Sequence, residues 1–403
     1  MTEAVIVDAV RTATGKRYGS LSGWHPADLL SEALSALVQR TGIDPAIVDD
    51  VITGCVNQVG SQALNVGRSA VLAAGWPETV PATTVDRQCG SSQQSAHFAA
   101  QGVIAGAYDV AIACGVENMT QIPMRSQLEN PRLGQAFGPR VDARYAHEEH
   151  FGQRGRINQG LSAELIAQRW DITREEMDEY AARSQQRAAE ATREGLFTDE
   201  ILPLAAKRLD KENHWVVEDE TVLSADEGIR PTTTAETLAN LKPSFTPEGS
   251  VTAGNSSQIS DGASALLIMS REKAEALGLR PRARFHTFAL AGVDPIHMLT
   301  GPIPATEKAL ARSGLSLADI DHFEVNEAFA SVVLAWAREY EVDPAKLNPL
   351  GGAIALGHPL GASGGRIMTT MLNHLERTGG RYGLQTMCEG GGMANATVIE
   401  RLD

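Results

Sequence analysis

The property that most restricts how this chain can fold is that it repeats itself at long range. A helical stretch leads into Gly42-Ile43-Asp44 and then Val48-Asp49-Asp50-Val51-Ile52-Thr53-Gly54. Much later another leads into Gly314-Leu315-Ser316 and then Ile320-Asp321-His322-Phe323-Glu324-Val325-Asn326, at the same spacing. The next units also match, in the same order. Cys89 opens a small-residue helix ending near Gly106, followed by a strand and Cys114-Gly115. Gly357-His358 opens a similar helix ending near Gly380, followed by a strand and Cys388. Two matching units in one order predict two related α/β halves.

Local patterns support that class. Ala4 to Val10, Val51 to Thr53, Val110 to Ala113 and Ala265 to Met269 are short apolar runs that read as buried strands. Asp28 to Arg40 has helical periodicity. From about Gln121 to Ser250 the chain turns polar, and its clearest element is a helix over 173–194 with a capping residue at its start. The expected division is an N-terminal half from 1–120 plus 251–273, an inserted loop domain over 121–250, and a C-terminal half over 274–403. Glycine, at 38 of 403 residues, implies many tight turns and close backbone contacts.

A formal net charge of -15 argues against a nucleic acid or an anionic membrane as the main partner. It leaves room for an anionic ligand held by a local basic group or a helix N-terminus. The four cysteines, Cys55, Cys89, Cys114 and Cys388, form no C-x-x-C pair, so no metal site is expected. Few cysteines and no basic, apolar leader before the strand at Ala4 give a cytoplasmic expectation. No run approaches the roughly 20 apolar residues of a membrane span.

Four segments could carry chemistry. Cys89, in Asp86-Arg87-Gln88-Cys89-Gly90, stands between a strand and a helix. Near the positive end of the helix dipole its pKa should fall from about 8.5 toward 7, if it is a nucleophile and not a structural thiol. His358 lies in Gly357-His358-Pro359, within a glycine-dense stretch; it is either the base for a nearby thiol or incidental to a phosphate-cradling loop. Cys388 precedes Gly390-Gly391-Gly392 at a strand end, where exposure in a site and amides aimed at an oxyanion are expected. Asn326, in Asn326-Glu327-Ala328-Phe329, is a water or carbonyl holder, or a helix cap.

Together these segments, with Asn255-Ser256-Ser257-Gln258-Ile259-Ser260-Asp261-Gly262, resemble the thiolase signature over nearly the whole length. The resemblance implies an α/β thiolase fold: two similar five-layered α/β/α/β/α halves with an inserted loop domain. It implies a ping-pong acyltransferase that cleaves 3-oxoacyl-CoA with coenzyme A, or runs the reverse condensation. Cys89 would be the acylated nucleophile, His358 its base, and Cys388 the acid/base at the acetyl α-carbon. Asn326 would hold a water in one oxyanion hole with His358; the amides of Cys89 and Gly390 would form another. Ser257 and Arg230 would contact coenzyme A, and Met298 would line the acyl pocket. No cofactor is expected to stay bound; coenzyme A enters as substrate, and the protein is expected to be a homodimer or homotetramer.

The chain departs from the usual pattern at Asp86-Arg87-Gln88, Ser91-Ser92-Gln93-Gln94, Asn158 and Gln159-Gly160. These changes are expected near the acyl pocket, while Gln93-Gln94 and the segment Ser256 to Gly262 look more like degradative bacterial thiolases, some of which act on bulky or lipid-derived chains. Two rivals remain. A β-ketoacyl synthase-like enzyme would carry His or Asn where Cys388 stands. A non-catalytic acyl-CoA- or lipid-binding relative would not need all four groups.

Overall fold

The computed structural model describes residues 2–128, 136–155 and 157–403. Nine strands form the spine of its large sheet: β1 (Ala4–Thr12), β2 (Asp50–Gly54), β3 (Ala82–Val85), β4 (Val110–Asn118), β5 (Ser260–Ser270), β6 (Ala283–Gly292), β7 (His322–Val325), β8 (Tyr382–Glu389) and β9 (Met393–Arg401). Their order across the sheet is β7-β8-β9-β6-β1-β5-β4-β2-β3.

That order shows the repeat in three dimensions. Outward from the centre the first half reads β1-β5-β4-β2-β3, with two antiparallel pairings and then two parallel ones. The second half reads β6-β9-β8-β7, with two antiparallel pairings and then a parallel one. It continues with a parallel bridge from Phe323 to Leu347, where the first half has β3. The halves meet through two residue pairs, Val5 with Arg284 and Ile6 with Ala283.

The helices that matter are α1 (Pro26–Thr41), α2 (Ser91–Ile104), α3 (Gln159–Arg169), α4 (Arg174–Arg193), α5 (Pro302–Ser313), α6 (Ala330–Tyr340) and α7 (Ser363–Thr378). α1 covers the outer face of the first half, and α5 that of the second. α2 and α7 pack on one another in the space between the two sheet halves. The layers therefore run helix, sheet, helix, sheet, helix across both halves. Strand alternation serves both faces. Ala4 and Ile6 join the inner core with Ala96, Ala99 and Met371, while Val5 and Val7 join the outer core with Leu30 and Leu34. A bulge between Ile6 and Asp8 reverses the parity, so Ala9 again faces inward. A similar bulge lies between Phe285 and Thr287 of β6.

Among the described residues between Met119 and Ile259, only the two-residue strand Ile201–Leu202 joins this sheet, pairing with β1. The helix read around 173–194 is α4, capped by Thr173 with a reciprocal bond from Glu176. This segment is fastened to β1 by Arg11, which is fully buried and donates to Glu200 at 2.7 Å and to both oxygens of Asp226 at 2.7 and 3.0 Å. Among the described residues no helix is long and apolar enough to cross a membrane.

The starts of α2 and α7 approach the ends of β2 and β4 so closely that only glycine fits. A Cβ on Gly115 would collide with the Gly361 carbonyl oxygen; one on Gly361 would lie 2.5 Å from the Val116 oxygen and 2.7 Å from the Gly54 oxygen. Backbone cannot move aside as a flexible side chain can. Gly115→Ala is therefore expected to cost about 3 kcal/mol, the upper end for overpacking. Gly42→Ala, at an open site with φ +70, should cost less. Urea unfolding of the two variants checks the order.

Candidate active site

The turn carrying Cys89 is held in an unusual shape. Gln88 has φ 49, a left-handed conformation rare for a residue with a side chain. The Asp86 carboxylate holds it there, accepting from the Gln88 backbone N–H at 2.7 Å and from its amide at 3.1 Å. Ser91 clamps the other side, accepting from Arg87 N–H at 2.9 Å and donating to the Gln88 carbonyl at 2.6 Å. Cys89 therefore sits at the foot of α2, 4% exposed.

His358 follows Gly357, whose φ of 94 suits glycine. Its backbone N–H is 3.2 Å from Ser260 Oγ, and its Nδ1 is 2.6 Å from Ser363 Oγ. Ser363 gives its only proton to the Pro359 carbonyl at 2.8 Å, so it must accept from His358 Nδ1–H. The hydrogen-bond pattern thus assigns the tautomer and leaves Nε2 as an acceptor, which takes a long hydrogen bond from Asn326 Nδ2–H at 3.4 Å. Asn326 Oδ1 is buried with no hydrogen-bond partner. A polar atom in that condition is suited to a water or a substrate group.

Cys388 ends β8 and is fully buried, contrary to the exposure expected from its loop position. Its side chain packs in the second half's apolar core with Ala394 and Phe329. The Cys89 thiol is within hydrogen-bond reach of the Gly390 backbone N–H, its own N–H and the Gln159 side chain. The Cys388 thiol feels the charge of Cys89. Leu360, next to the histidine loop, and Met387, next to Cys388, pack with Cys89. Three segments far apart in sequence therefore pack into one apolar cluster around Cys89.

The electrostatics correct one expectation. The helix N-terminus was expected to lower the Cys89 pKa. Burial instead pushes the thiol up to about 12, with Glu389 adding to the rise; the three hydrogen bonds offset only part of it. Burial, and then Cys89 itself, holds the Cys388 thiol well above its ordinary value. Burial, assisted by the Arg366 charge, brings His358 down to about 3. At neutral pH the resting pocket contains two thiols and a neutral imidazole.

The other expected residues lie around this centre. Ser257 N–H donates to the Ala328 carbonyl at 3.0 Å, placing the serine beside the Asn326 loop. Arg230 is exposed, and its backbone N–H is anchored to Gln185 at 2.7 Å. Met298 is buried in the same apolar cluster as Cys388 and Phe329. Ser91 to Gln94 are all buried, and Gln93 is part of the scaffold. It donates to Thr397 Oγ1 at 2.7 Å and to the Gln385 carbonyl at 3.2 Å, while Gln385 reaches Gln93 and the Gly364 carbonyl. Those two amides lace together the segments that carry Cys89, Cys388 and His358. Asn158 caps α3, accepting from Leu161 N–H at 3.1 Å.

Several contributors were not foreseen. Glu117 is buried and accepts from Val56 N–H, Asn57 N–H, Gln62 Nε2 and Gly361 N–H, which fixes the loop below His358. Nothing in the strand pattern around it distinguishes this carboxylate. Ser363 lies only five residues after His358, but His358 precedes the helix, so no helical spacing links the two in sequence. Gln159 was noticed only as a departure; its approach to Cys89 is a tertiary contact.

Residues 4–272 match the family described as Thiolase, N-terminal domain, and residues 279–401 match Thiolase, C-terminal domain. The chain is 52% identical over 406 residues to the steroid 3-ketoacyl-CoA thiolase FadA6 of Mycobacterium tuberculosis, covering 100% of this chain and 95% of that protein. It is 44% identical over 402 residues to the 3-ketoacyl-CoA thiolase of Bacillus subtilis, covering 99% and 100%. The crystal structure of the Bacillus anthracis acetyl-CoA acetyltransferase superposes with a TM-score of 0.87 at 40% identity, covering 100% and 99%.

A thiol pushed up to about 12 carries little thiolate at neutral pH. Iodoacetamide alkylation of Cys89 in the free protein should therefore rise about tenfold per pH unit between pH 7 and 9. A plateau already reached at pH 7, followed by mass spectrometry of the labelled peptide, would contradict the uncharged resting pocket.

Proposed function

The chain belongs to the thiolase family, and on that premise we propose that it cleaves 3-oxoacyl-CoA with coenzyme A, giving acetyl-CoA and a shortened acyl-CoA, by way of an acyl group on Cys89. The observation that supports this reading is that the Cys89 and Cys388 sulfurs lie close enough to couple, with the Gly390 amide on the first, while Leu360, two residues after His358, packs in the same apolar cluster as Cys89.

The geometry favours the following sequence. His358 Nε2 takes the Cys89 proton, and the thiolate attacks the 3-keto carbon. The protonated imidazole then becomes a donor next to Asn326, and together they face the enolate oxygen that develops as the C2–C3 bond breaks. The amides of Cys89 and Gly390 face the oxygen of the carbonyl under attack. Cys388 gives its proton to C2, releasing acetyl-CoA. Coenzyme A then gives its thiol proton to Cys388 and attacks the acyl-Cys89, and the freed Cys89 recovers its proton from His358. Synthesis is the same path reversed. Arg230, anchored to Gln185, and Ser257, beside Ala328, serve coenzyme A, and Met298 lines the acyl side. Residues 121–250 act as the inserted unit, contributing Gln159 and the rest of that wall.

We assign a bulky acyl group to the natural substrate. The 52% identity to a relative named for steroid 3-ketoacyl-CoA supports this, as does the polar Gln159 at the nucleophile. A β-ketoacyl synthase reading is disfavoured because the third group is the Cys388 thiol. A silent acyl-CoA-binding reading is disfavoured by the assigned tautomer, which leaves His358 ready to accept a proton. Four free cysteines fit a reducing compartment, the cytoplasm. A homodimer or homotetramer fits the open edge at β3 and the nearby surface: Leu64 is 95% exposed with φ 55, and Leu72 and Phe98 are also exposed.

Incubation with 3-oxoacyl-CoA followed by intact-protein mass analysis should show an acyl adduct that Cys89→Ala abolishes. Cys388→Ala should still become acylated but lose deuterium exchange at the acetyl α-carbon. Normal exchange in that variant would falsify the role given to Cys388. Across a panel from acetoacetyl-CoA to cyclic chains, kcat/KM should favour the bulkier substrates. Light scattering should report two or four copies; a monomer at micromolar concentration would remove the assembly proposed for the β3 edge.

A further inference from the structure

Glu389 stands immediately after Cys388 and is fully buried, and neither of its carboxyl oxygens has a hydrogen-bond partner. An ionised carboxylate in that state would carry a large desolvation penalty. Its location is specific. A Cβ on Gly90 would collide with Glu389 Oε1, so the carboxyl lies against the Gly90 Cα, on the residue that follows the nucleophile. The same imagined Cβ would lie 2.6 Å from Asn395 Nδ2, which donates to the Gly90 carbonyl at 3.0 Å. Asn395 Oδ1 is buried there without a partner. Glu389 and Asn395 thus form the floor beneath the Cys89–Gly90 peptide.

We propose that Glu389 is a positioning residue for acyl transfer, an uncharged carboxyl that backs the Cys89–Gly90 peptide and keeps a fixed negative charge away from the two sulfurs. The inference rests on the thiolase reading for its catalytic consequence, but its physical basis does not depend on any substrate. The charged and titratable groups facing Glu389 are Asp86 and Arg87 on the nucleophile turn and the thiols of Cys89 and Cys388. Arg87 would favour the ionised form; burial outweighs it, and Asp86 works with burial, so the carboxyl titrates only at about 9. Both thiols must become thiolates during the cycle, and an ionised Glu389 would oppose each of them. The chain therefore places a carboxyl here in its neutral form, which leaves its proton free to satisfy a floor acceptor such as Asn395 Oδ1.

The sign of the pH effect follows. A carboxyl that titrates near 4.5 when unfolded and at about 9 when folded binds more protons in the folded state between those values. Stability is lost as pH rises through that window and stays lost above it.

Two measurements test the proposal on the full-length protein. In Glu389→Gln, the thermal midpoint should fall less than the parent's between pH 5 and pH 9. The ratio of Cys89 alkylation by iodoacetamide at pH 10 to that at pH 7 should be about tenfold larger than in the parent, because the variant gains no charge beside the sulfur. Glu389→Met, uncharged and of similar length, should give the same ratio if the glutamine variant folds poorly. Glu389→Asp, too short to back Gly90, should lower kcat with KM nearly unchanged. Superimposable stability and alkylation profiles for parent and uncharged variants would overturn the proposal. Both readouts omit substrate, so failure of the thiolase reading would appear separately, as absence of acetyl-CoA from the parent.

Discussion

The pocket depends on a crossing of bare backbone. The starts of α2 and α7 cross the ends of β2 and β4 at Gly54, Gly115 and Gly361, where no side chain of any kind fits. One helix begins two residues after Cys89 and the other five after His358, so the crossing fixes where those two segments lie relative to one another. Side chains reinforce it. Ser92 accepts from Gly365 N–H at 2.9 Å, Glu117 holds Gly361, and the Gln93–Gln385 pair adds β8 and Cys388 to the assembly. Packing density alone would allow small adjustments; backbone atoms in direct contact do not.

The protein treats charge differently within the pocket and around it. Around the pocket, buried charges have several partners: Arg11 with Glu200 and Asp226, and Glu327 with Tyr180, Ser184 and the Ile354 amide. Within it, Cys89, Cys388, His358 and Glu389 rest uncharged because desolvation outweighs every local attraction. The first group fixes geometry and cannot easily change state. The second can exchange protons at short range, and the low dielectric that keeps the groups neutral also strengthens the oxyanion donors once charge develops.

Much of this was legible in the sequence because it is written in local pattern. The apolar runs of β1, β4 and β5 mark buried strands, and Thr173 with Glu176 marks the start of α4. The equal spacing of Gly42–Gly54 and Gly314–Asn326 announces the two halves. The identities of Cys89, His358, Cys388 and Asn326 follow from motifs short enough to see. Other features have no local signature. The bulge at Ile6–Asp8 depends on how β1 meets β5, and the strand matching β3 shrinks to a bridge at Leu347. The protonation of Cys89 was misjudged because a helix N-terminus is visible in sequence and the depth of burial is not. The bonds of Gln93 were not legible because its partners on β8 and β9 are some 300 residues away.

The seam between the halves has a consequence for how the molecule comes into being. Only two residue pairs join β1 to β6, and each half has its own outer helix and its own strand order. The inner face of the first half is nevertheless closed by the second, because Met368, Met371 and Leu372 of α7 complete the core around Ala4, Ile6 and Ala96. During synthesis that face stays uncovered until α7 has been made. The surroundings of Cys89 are likewise finished last, since Leu360, Met387, Cys388 and Gly390 all arrive from beyond residue 350.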